Sequence, residues 1–550
     1  MNNHHLHIYK ASAGSGKTFT LAVNYICMLI EHPDAYRHIL AVTFTNKATA
    51  EMKQRIISKL YGIAYQTEDA IPYLEAVQKA TGLPEDAIRA KALAALKLLV
   101  HDYGHFRIET IDSFFQSVLR GLARELDLGT GMTIELDAKK VISEAVDNLM
   151  RDLKPDTPTL QWIFESTESK IDDGKQWNIT DELKNFAANI HNEEYQRNAD
   201  TLREQLKDPA FIRHLRGCLM KELNNAKSKA VDRATDFFNI LNAEGLTVDD
   251  FHFKSSGACS YYIKLAKGNI PSEMGARAQD AANSASGWVK KGSPHEQHIT
   301  ILANQILIQH LNDTHKICQK SIETINSCNI IMSHLNQLQL INIIHDQVLQ
   351  LNKEENRFLL ADTCQMLSCM QAGDSAFVFE KLGYYLQHIM IDEFQDTSRM
   401  QWDNFYPLLL EGLSGGNKSL LVGDVKQAIY RWRGSDWRIL NEEVTRALAS
   451  YTPAEAHHLD TNRRSLEGVV RFNNELFKQC NTLLAEQLGP QNAGPLLQAY
   501  SDVKQEWVED KQGGYVRITN VQSQDDEDSK DAMCREIATI IHELRAAGIK

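Results

Sequence analysis

Residues 11–18 read Ala-Ser-Ala-Gly-Ser-Gly-Lys-Thr, the spacing of a phosphate cradle with alanine at the place of its first glycine. Ala11, Ser12, Ala13, Gly14, Ser15 and Gly16 are expected to curl backbone amides around phosphate oxygens, because Gly14 and Gly16 tolerate backbone conformations that other residues resist. Lys17 would reach the β- and γ-phosphates of ATP, and Thr18, at the start of the following helix, would ligate Mg2+. A second acidic element, "IMIDEFQDTS" at 389–398, ends an apolar run in two adjacent carboxylates. Asp392 is expected to hold the metal, and Glu393 to orient and deprotonate an attacking water. In "VGDVKQ" at 422–427, Gln427 can donate to the γ-phosphate or to that water. In "TNRRS" at 461–465, Arg464 can stabilise charge developed during transfer, and Arg463 can stack its guanidinium plane on a base.

These residues need a sheet to carry them. The run Leu6–Tyr9 reads as a strand entering the glycine loop, and "FTLAVNYICMLIEH" as the helix leaving it. "HILAVTFT" at 38–45, "FRIET" at 106–110, "HIMIDEFQD" at 388–396 and "KSLLVGDVKQ" at 418–427 add apolar strands, and helix-like stretches lie between them. The pattern predicts a parallel α/β sheet that holds its ligand at the carboxyl ends of its strands. Between 125 and 356 the chain turns largely helical, which predicts an inserted domain. Within it, 281–296 reads as a loop or mobile tip and 330–358 as a long helix or helix pair. Beyond about 446 a new region begins; "GGYVRITNVQ" at 513–522 is a candidate strand, followed by an amphipathic helix at 528–550, and the fold there is expected to be cut midway. The domain reading is therefore 1–124 with 357–445, an insertion at 125–356, and the start of a second α/β domain at 446–550.

Composition narrows the partners only weakly. A chain of 550 residues that is 43% hydrophobic and 24% charged has the balance of a globular protein, not of a disordered one. Its net charge of −13 argues against a uniformly basic wrapper for nucleic acid, yet leaves room for a local groove. The nine cysteines form no CxxC pair, which fits a reducing, cytoplasmic setting, and apolar stretches such as 21–30 are too short to span a bilayer. His4, His5 and His7 can be read as a metal tract or a tag remnant; metal binding is disfavoured because His7 lies in an alternating strand-like run and no carboxylate or cysteine completes a ligand set.

Taken together, these motifs resemble the UvrD/Rep-like branch of superfamily 1 helicases, and within it the AddA/RecB-type helicase-nuclease subunits. "ASAGSGKTFTL" looks like motif I, "LAVTFTNKATAEMKQRI" motif Ia, "IDEFQDTS" motif II, "VGDVKQAIYRWRGS" motif III and "LDTNRRS" motif IV, and "TIDSF" looks like the DNA-contact motif after Ia. The resemblance implies two RecA-like motor domains around ATP and Mg2+, the second only partly present, and a mainly helical domain 1B in the insertion. It also implies translocation on single-stranded DNA, usually 3′ to 5′, in double-strand break repair. The partners it implies are single/double-strand junctions and a second helicase-nuclease subunit, with no membrane. Carried over, Thr43, Phe44, Thr45 and Asn46 look like strand contacts, and Thr110 and Ser113 like phosphate or sugar contacts. Tyr430, Trp432 and Arg433 look like a base-stacking platform. Asp112 stands where many relatives carry histidine, and Arg463 where many carry tyrosine. Two alternatives stand beside this reading: a repair helicase without a nuclease, and a nucleotide-gated DNA-binding scaffold with vestigial hydrolysis.

Overall fold

A computed structural model describes residues 5–121, 133–155, 179–206, 208–359, 386–449, 454–522 and 528–549, with a few isolated positions between them. In chain order the strands are β1 (Leu6–Ala11), β2 (Ile39–Thr43), β3 (Ile108–Thr110), β4 (Thr133–Glu135), β5 (Arg357–Leu359), β6 (His388–Ile391), β7 (Ser419–Gly423), β8 (Ala454–Leu459), β9 (Thr461–Asn462) and β10 (Glu506–Trp507). The chain divides into two compact units, one of residues 1–128 with 363–550 and one of residues 129–362.

The first unit is built on a six-stranded sheet in the order β3-β2-β6-β7-β1-β8, every neighbouring pair of which is parallel. Strands β2 and β7 are buried at every position, as near-continuous apolar runs in the middle of a covered parallel sheet must be. Helices α1 (Lys17–Glu31), α2 (Asn46–Tyr65), α3 (Ile71–Thr81) and α4 (Glu85–His101) contribute Tyr25, Ile26, Ile56, Leu60, Val77 and Leu99 to one core with Ile39 and Val422 of the sheet. The next helix, α5 (Ile111–Gly121), packs Phe114 and Phe115 on Phe405 of the helix Arg399–Ser414, with ring centroids 5.6 and 4.7 Å apart. This is a RecA-like P-loop motor fold.

The sheet does not close at β7. Strand β8, from beyond residue 446, pairs with β1 over its whole length, Leu6 opposite Ala454 through Ala11 opposite Leu459. Its alternating partial burial belongs to an edge strand, and only pairing to β1 reveals its place. The expected strand at 513–522 does not form: those residues are irregular, and Gly513 and Gly514 take φ of 91° and 109°. Alternating side chains make a strand only where another strand offers a ladder, and among the described residues none pairs with this one.

The second unit is mainly helical, a large insertion between β3 and β6. Its longest helices, Pro209–Ala243 and Ile308–Glu354, pack against each other and run about 50 and 70 Å at 1.5 Å per residue. The second of these is one continuous helix through 330–354, after which β5 pairs in parallel with β4. Within 281–296, Ala281, Ala282, Trp288 and Val289 are packed into the core, while 290–295 form a mostly exposed turn, so the stretch is part anchor and part loop. Trp288 is fully buried among Phe237, Phe251 and Tyr262, its indole donates to Ala281 O at 2.9 Å, and Val289 bridges to Phe251. The polar composition of that stretch hid one large anchor.

Candidate functional site: a phosphate loop meeting two acidic strand ends

Strand β1 delivers the glycine loop to the carboxyl edge of the sheet, beside the ends of β7 and β8. Gly14 and Gly16 take φ of 74° and 93°, the left-handed region where a side chain is strained, and Gly16 caps α1. The loop is held from behind. Ser12 N donates to Leu459 O at 3.2 Å, Arg463 N to Gly14 O at 2.9 Å, and Gln505 Nε2 to Ala13 O at 2.8 Å. Gln505 in turn accepts from Asn462 Nδ2 at 3.1 Å, and Asn462 Oδ1 accepts from the backbone of both Arg464 and Ser465 at 2.9 Å. A Cβ on Gly14 would stand 2.9 Å from Arg464 Cβ and 2.9 Å from Asn462 Oδ1, so close approach as well as φ demands glycine.

Lys17, on the first turn of α1, aims its ammonium at two residues distant in sequence: Glu393 Oε2 at 2.6 Å and Gln427 Oε1 at 3.2 Å. Glu393 follows the end of β6 and is itself left-handed, with φ of 50° and ψ of 43°, a conformation that costs a non-glycine residue about 1–2 kcal/mol. Its carboxylate also accepts from Gln395 Nε2 at 2.8 Å. Gln395 Oε1 accepts from Asp424 N at 2.9 Å, and Gln427 Nε2 donates to Asp424 Oδ2 at 2.8 Å, closing a ring of polar side chains across β6 and β7. The sequence alone does not single out Gln395, Asp424, Asn462 and Gln505 as site residues. The glutamine inside "IDEFQD" and the aspartate before "VKQ" are visible there as polar residues at strand ends; the roles of Asn462 and Gln505 depend on distant partners.

Burial pushes the Asp392 carboxyl up to about 6, the Glu393 charge adds to the rise, and Lys17 opposes it. Asp396 is raised to about 6 for the same reasons in the same order, and its Oδ1 is buried with no hydrogen-bond partner among the described residues. Hard oxygen donors in this strained electrostatic setting, beside a loop with two left-handed glycines, fit a magnesium-bound nucleotide: Thr18 and Asp392 would hold the metal, and a divalent cation would reverse the rise. Arg463 and Arg464 lie on the loop's border with exposed side chains, their backbones fixed to Gly14 and Asn462.

The residues expected to meet DNA fall at the ends of β2 and β3 and after β7. Thr43 and Thr110 are ladder partners. The buried Thr43 hydroxyl bonds Thr49 Oγ1 at 2.7 Å and lies 3.2 Å from Thr45 O, while Thr45 caps α2 by accepting from Ala48 N at 3.2 Å. Asn46 opens α2 and is exposed. The Thr110 hydroxyl bonds Ser113 Oγ at 2.8 Å and accepts from Ser113 N at 3.2 Å, and Asp112 accepts from Gln401 Nε2 at 3.4 Å. Phe44 meets Tyr430 at a centroid distance of 4.7 Å, and Tyr430 meets Trp432 at 6.1 Å. The Arg433 guanidinium lies 5.2 Å from the Phe44 ring and 5.9 Å from Trp432, whose side chain is 79% exposed. The platform thus joins one residue from β2's end to three that follow β7.

Among the described residues, no helix is long and apolar enough to cross a membrane. Comparison with known proteins gives one family match, to the UvrD/REP helicase N-terminal domain, over residues 3–447. The chain is 24% identical over 501 residues to an ATP-dependent helicase/nuclease subunit of Streptococcus pneumoniae (strain ATCC 700669 / Spain 23F-1), covering 88% of this chain and 38% of that protein. The exonuclease/helicase subunit RexA of S. pneumoniae serotype 4 is 24% identical over 506 residues, with the same coverage. An ATP-dependent helicase/nuclease subunit of Lactococcus lactis subsp. lactis is 24% identical over 525 residues, covering 88% of this chain and 40% of the relative. The chain therefore spans about two fifths of the length of these relatives.

Proposed function

The chain belongs to the UvrD/REP helicase family, and from that premise we propose that it is the motor portion of an ATP-dependent DNA translocase working in a helicase-nuclease. The observation that carries this reading is the meeting of Lys17 with Glu393 and Gln427 across 376 and 410 residues of sequence. A scaffold that had lost hydrolysis would have no need of a strained glutamate held on a lysine and a glutamine sensor.

In this mechanism the loop from Ala11 to Gly16 cradles the phosphates of ATP and Lys17 neutralises the β- and γ-oxygens. Thr18 and Asp392 would hold Mg2+, which would supply charge neutralisation on the phosphates. Glu393 accepts the proton of the attacking water, Gln427 orients it, and Arg464 stabilises the charge that develops on the transferred group. Arg463, its backbone fixed to Gly14, would flank a base with its guanidinium.

For coupling, Gln427 and Tyr430 are only three residues apart, so a shift at the γ-phosphate reaches the platform of Phe44, Tyr430, Trp432 and Arg433 within one short segment. Single-stranded DNA, or the single strand at a duplex junction, would stack there. Thr43, Thr45, Asn46, Thr110 and Ser113 would place the sugar-phosphate chain. Travel in the 3′ to 5′ direction and action at double-strand breaks extend this proposal on the resemblance of the motifs alone, whereas partnership with a second polypeptide is supported by relatives named as subunits of a helicase/nuclease.

The test is the pair Lys17→Ala and Glu393→Gln. Lys17→Ala should abolish ATP binding in a fluorescent-nucleotide titration, whereas Glu393→Gln should bind as the parent does and lose turnover about a hundredfold or more, the scale set by losing a general base. Equal DNA-stimulated ATPase in the parent and Glu393→Gln would overturn the assignment.

A further inference from the structure

Strand β8 brings a carboxylate to the N-terminal histidines that the sequence alone leaves without one. In the parallel ladder His7 stands directly opposite Glu455, and His457 lies two residues further along β8, so all three side chains project from one face of the sheet. Their ligand atoms converge. His7 Nδ1 lies 3.2 Å from His457 Nε2 and 3.4 Å from Glu455 Oε2, and His457 Nε2 lies 3.6 Å from the same oxygen. Two donors at about 2.0–2.1 Å from a tetrahedral ion are separated by about 3.3–3.4 Å, so these separations are those of three corners of one coordination tetrahedron.

We infer that His7, Glu455 and His457 form a binding site for a divalent metal of the zinc class, clamping β8 to β1. Two imidazoles and one carboxylate are a donor set suited to Zn2+, leaving a fourth position for water. The three side chains are 20%, 43% and 31% exposed, which holds them in place yet leaves a path for an ion to enter. The rings are oriented before any ion arrives: Tyr9 stacks on His457 at a centroid distance of 4.6 Å and an interplanar angle of 17°, and His7 lies parallel to His457 at the same angle. Among the described residues this is the one group of three or more histidine, cysteine, aspartate or glutamate side chains whose ligand atoms gather so closely. The clamp shares no ligand residue with the nucleotide site and would act on stability. A metal bound to the folded state raises its stability by mass action, and here it would tie down the strand that leads into Asn462 and Arg464.

The experiment titrates metal-free protein with Co2+ and then displaces it with Zn2+. One equivalent should bind with the strong visible absorption of tetrahedral cobalt, and Zn2+ should raise the thermal midpoint. Glu455→Gln and His457→Phe, which keep the bulk of both side chains, should each weaken the affinity about tenfold or more while leaving nucleotide binding unchanged. Replacing His4 and His5 with alanine should change nothing. A weak octahedral cobalt signal, unchanged affinity in the β8 variants, or loss of binding in the His4/His5 variant in their place would each overturn the site. Because the wild-type cobalt spectrum and stoichiometry stand alone as a readout, a variant that failed to fold would leave the inference falsifiable.

Discussion

Gly14 is held by two constraints at once, a left-handed φ and the approach of Arg464 and Asn462, and that combination gives a sharp expectation. Gly14→Ala should lower nucleotide affinity at least about tenfold, since the left-handed backbone alone costs a side chain about 1–2 kcal/mol and the new Cβ also pushes on residues 462–464. Isothermal titration with a non-hydrolysed ATP analogue checks it, and an unchanged affinity would mean that the loop relaxes freely. The cradle itself is readable in the sequence because its residues are consecutive and their types follow from phosphate chemistry. Asp392, Glu393 and Gln427 are readable because each ends an apolar run. Gln395, Asn462 and Gln505 are not, because the partners that give them their place are distant in sequence: Asp424 is 29 residues from Gln395, Gln505 is 43 from Asn462, and Ala13 is 492 from Gln505. Nothing in a local window distinguishes such a residue from an ordinary surface amide.

Elements are legible where periodicity and burial agree, and obscure where a distant partner decides. The buried strands β2, β6 and β7 announce themselves as apolar runs, whereas β8, with two adjacent histidines, gives no strand signal until β1 pairs with it. The platform after β7 lends itself to a clean test, because Trp432 is exposed and contributes little to any core. Trp432→Ala should weaken single-stranded DNA binding by about 1–3 kcal/mol, the worth of one base-aromatic stack, with nucleotide affinity and melting temperature unchanged. Fluorescence anisotropy with a labelled oligonucleotide measures the loss; an unaltered isotherm would remove Trp432 from the track. In the helical insertion, His310 of the helix Ile308–Glu354 is buried with Nδ1 2.8 Å from the Tyr262 hydroxyl, while its Nε2 has no partner among the described residues. Burial, reinforced by Arg233 and opposed by Asp236 and Asp313, pushes its pKa from 6.5 down to about 4, so the folded protein holds the ring neutral. The unfolded chain protonates first. The stability linked to this group is therefore complete above pH 6.5 and is lost as the pH falls towards 4. Thermal melts across that range should show the decline, and His310→Gln should make it shallower without abolishing it, because burial also depresses His345 and His388.

At the scale of the molecule, a net charge of −13 and a proposed DNA track of hydroxyls, amides and rings with one arginine belong together. Affinity for single-stranded DNA should depend weakly on salt: with about one to three phosphates neutralised, the slope of log K against log salt should be about −1 to −2. A potassium chloride series read by anisotropy gives that slope, and a value steeper than about −4 would point to a basic surface elsewhere. The two compact units differ in how far the sequence discloses them. The sheet follows from strand-helix alternation, but the packed corner around Trp288 could not be foreseen, because its anchor is one tryptophan in a stretch of small and polar residues. The order of the sheet also sets a timetable. Strand β1 starts at Leu6, yet both its neighbours, β7 and β8, lie beyond residue 418. During synthesis at about 5–20 residues per second, the strand that bears the phosphate loop waits about 20–90 seconds for either edge to be covered. The glycine loop thus leaves the ribosome long before it can acquire its shape, and for that interval Leu6 and Ile8, fully buried in the finished sheet, have no strand on either side to cover them.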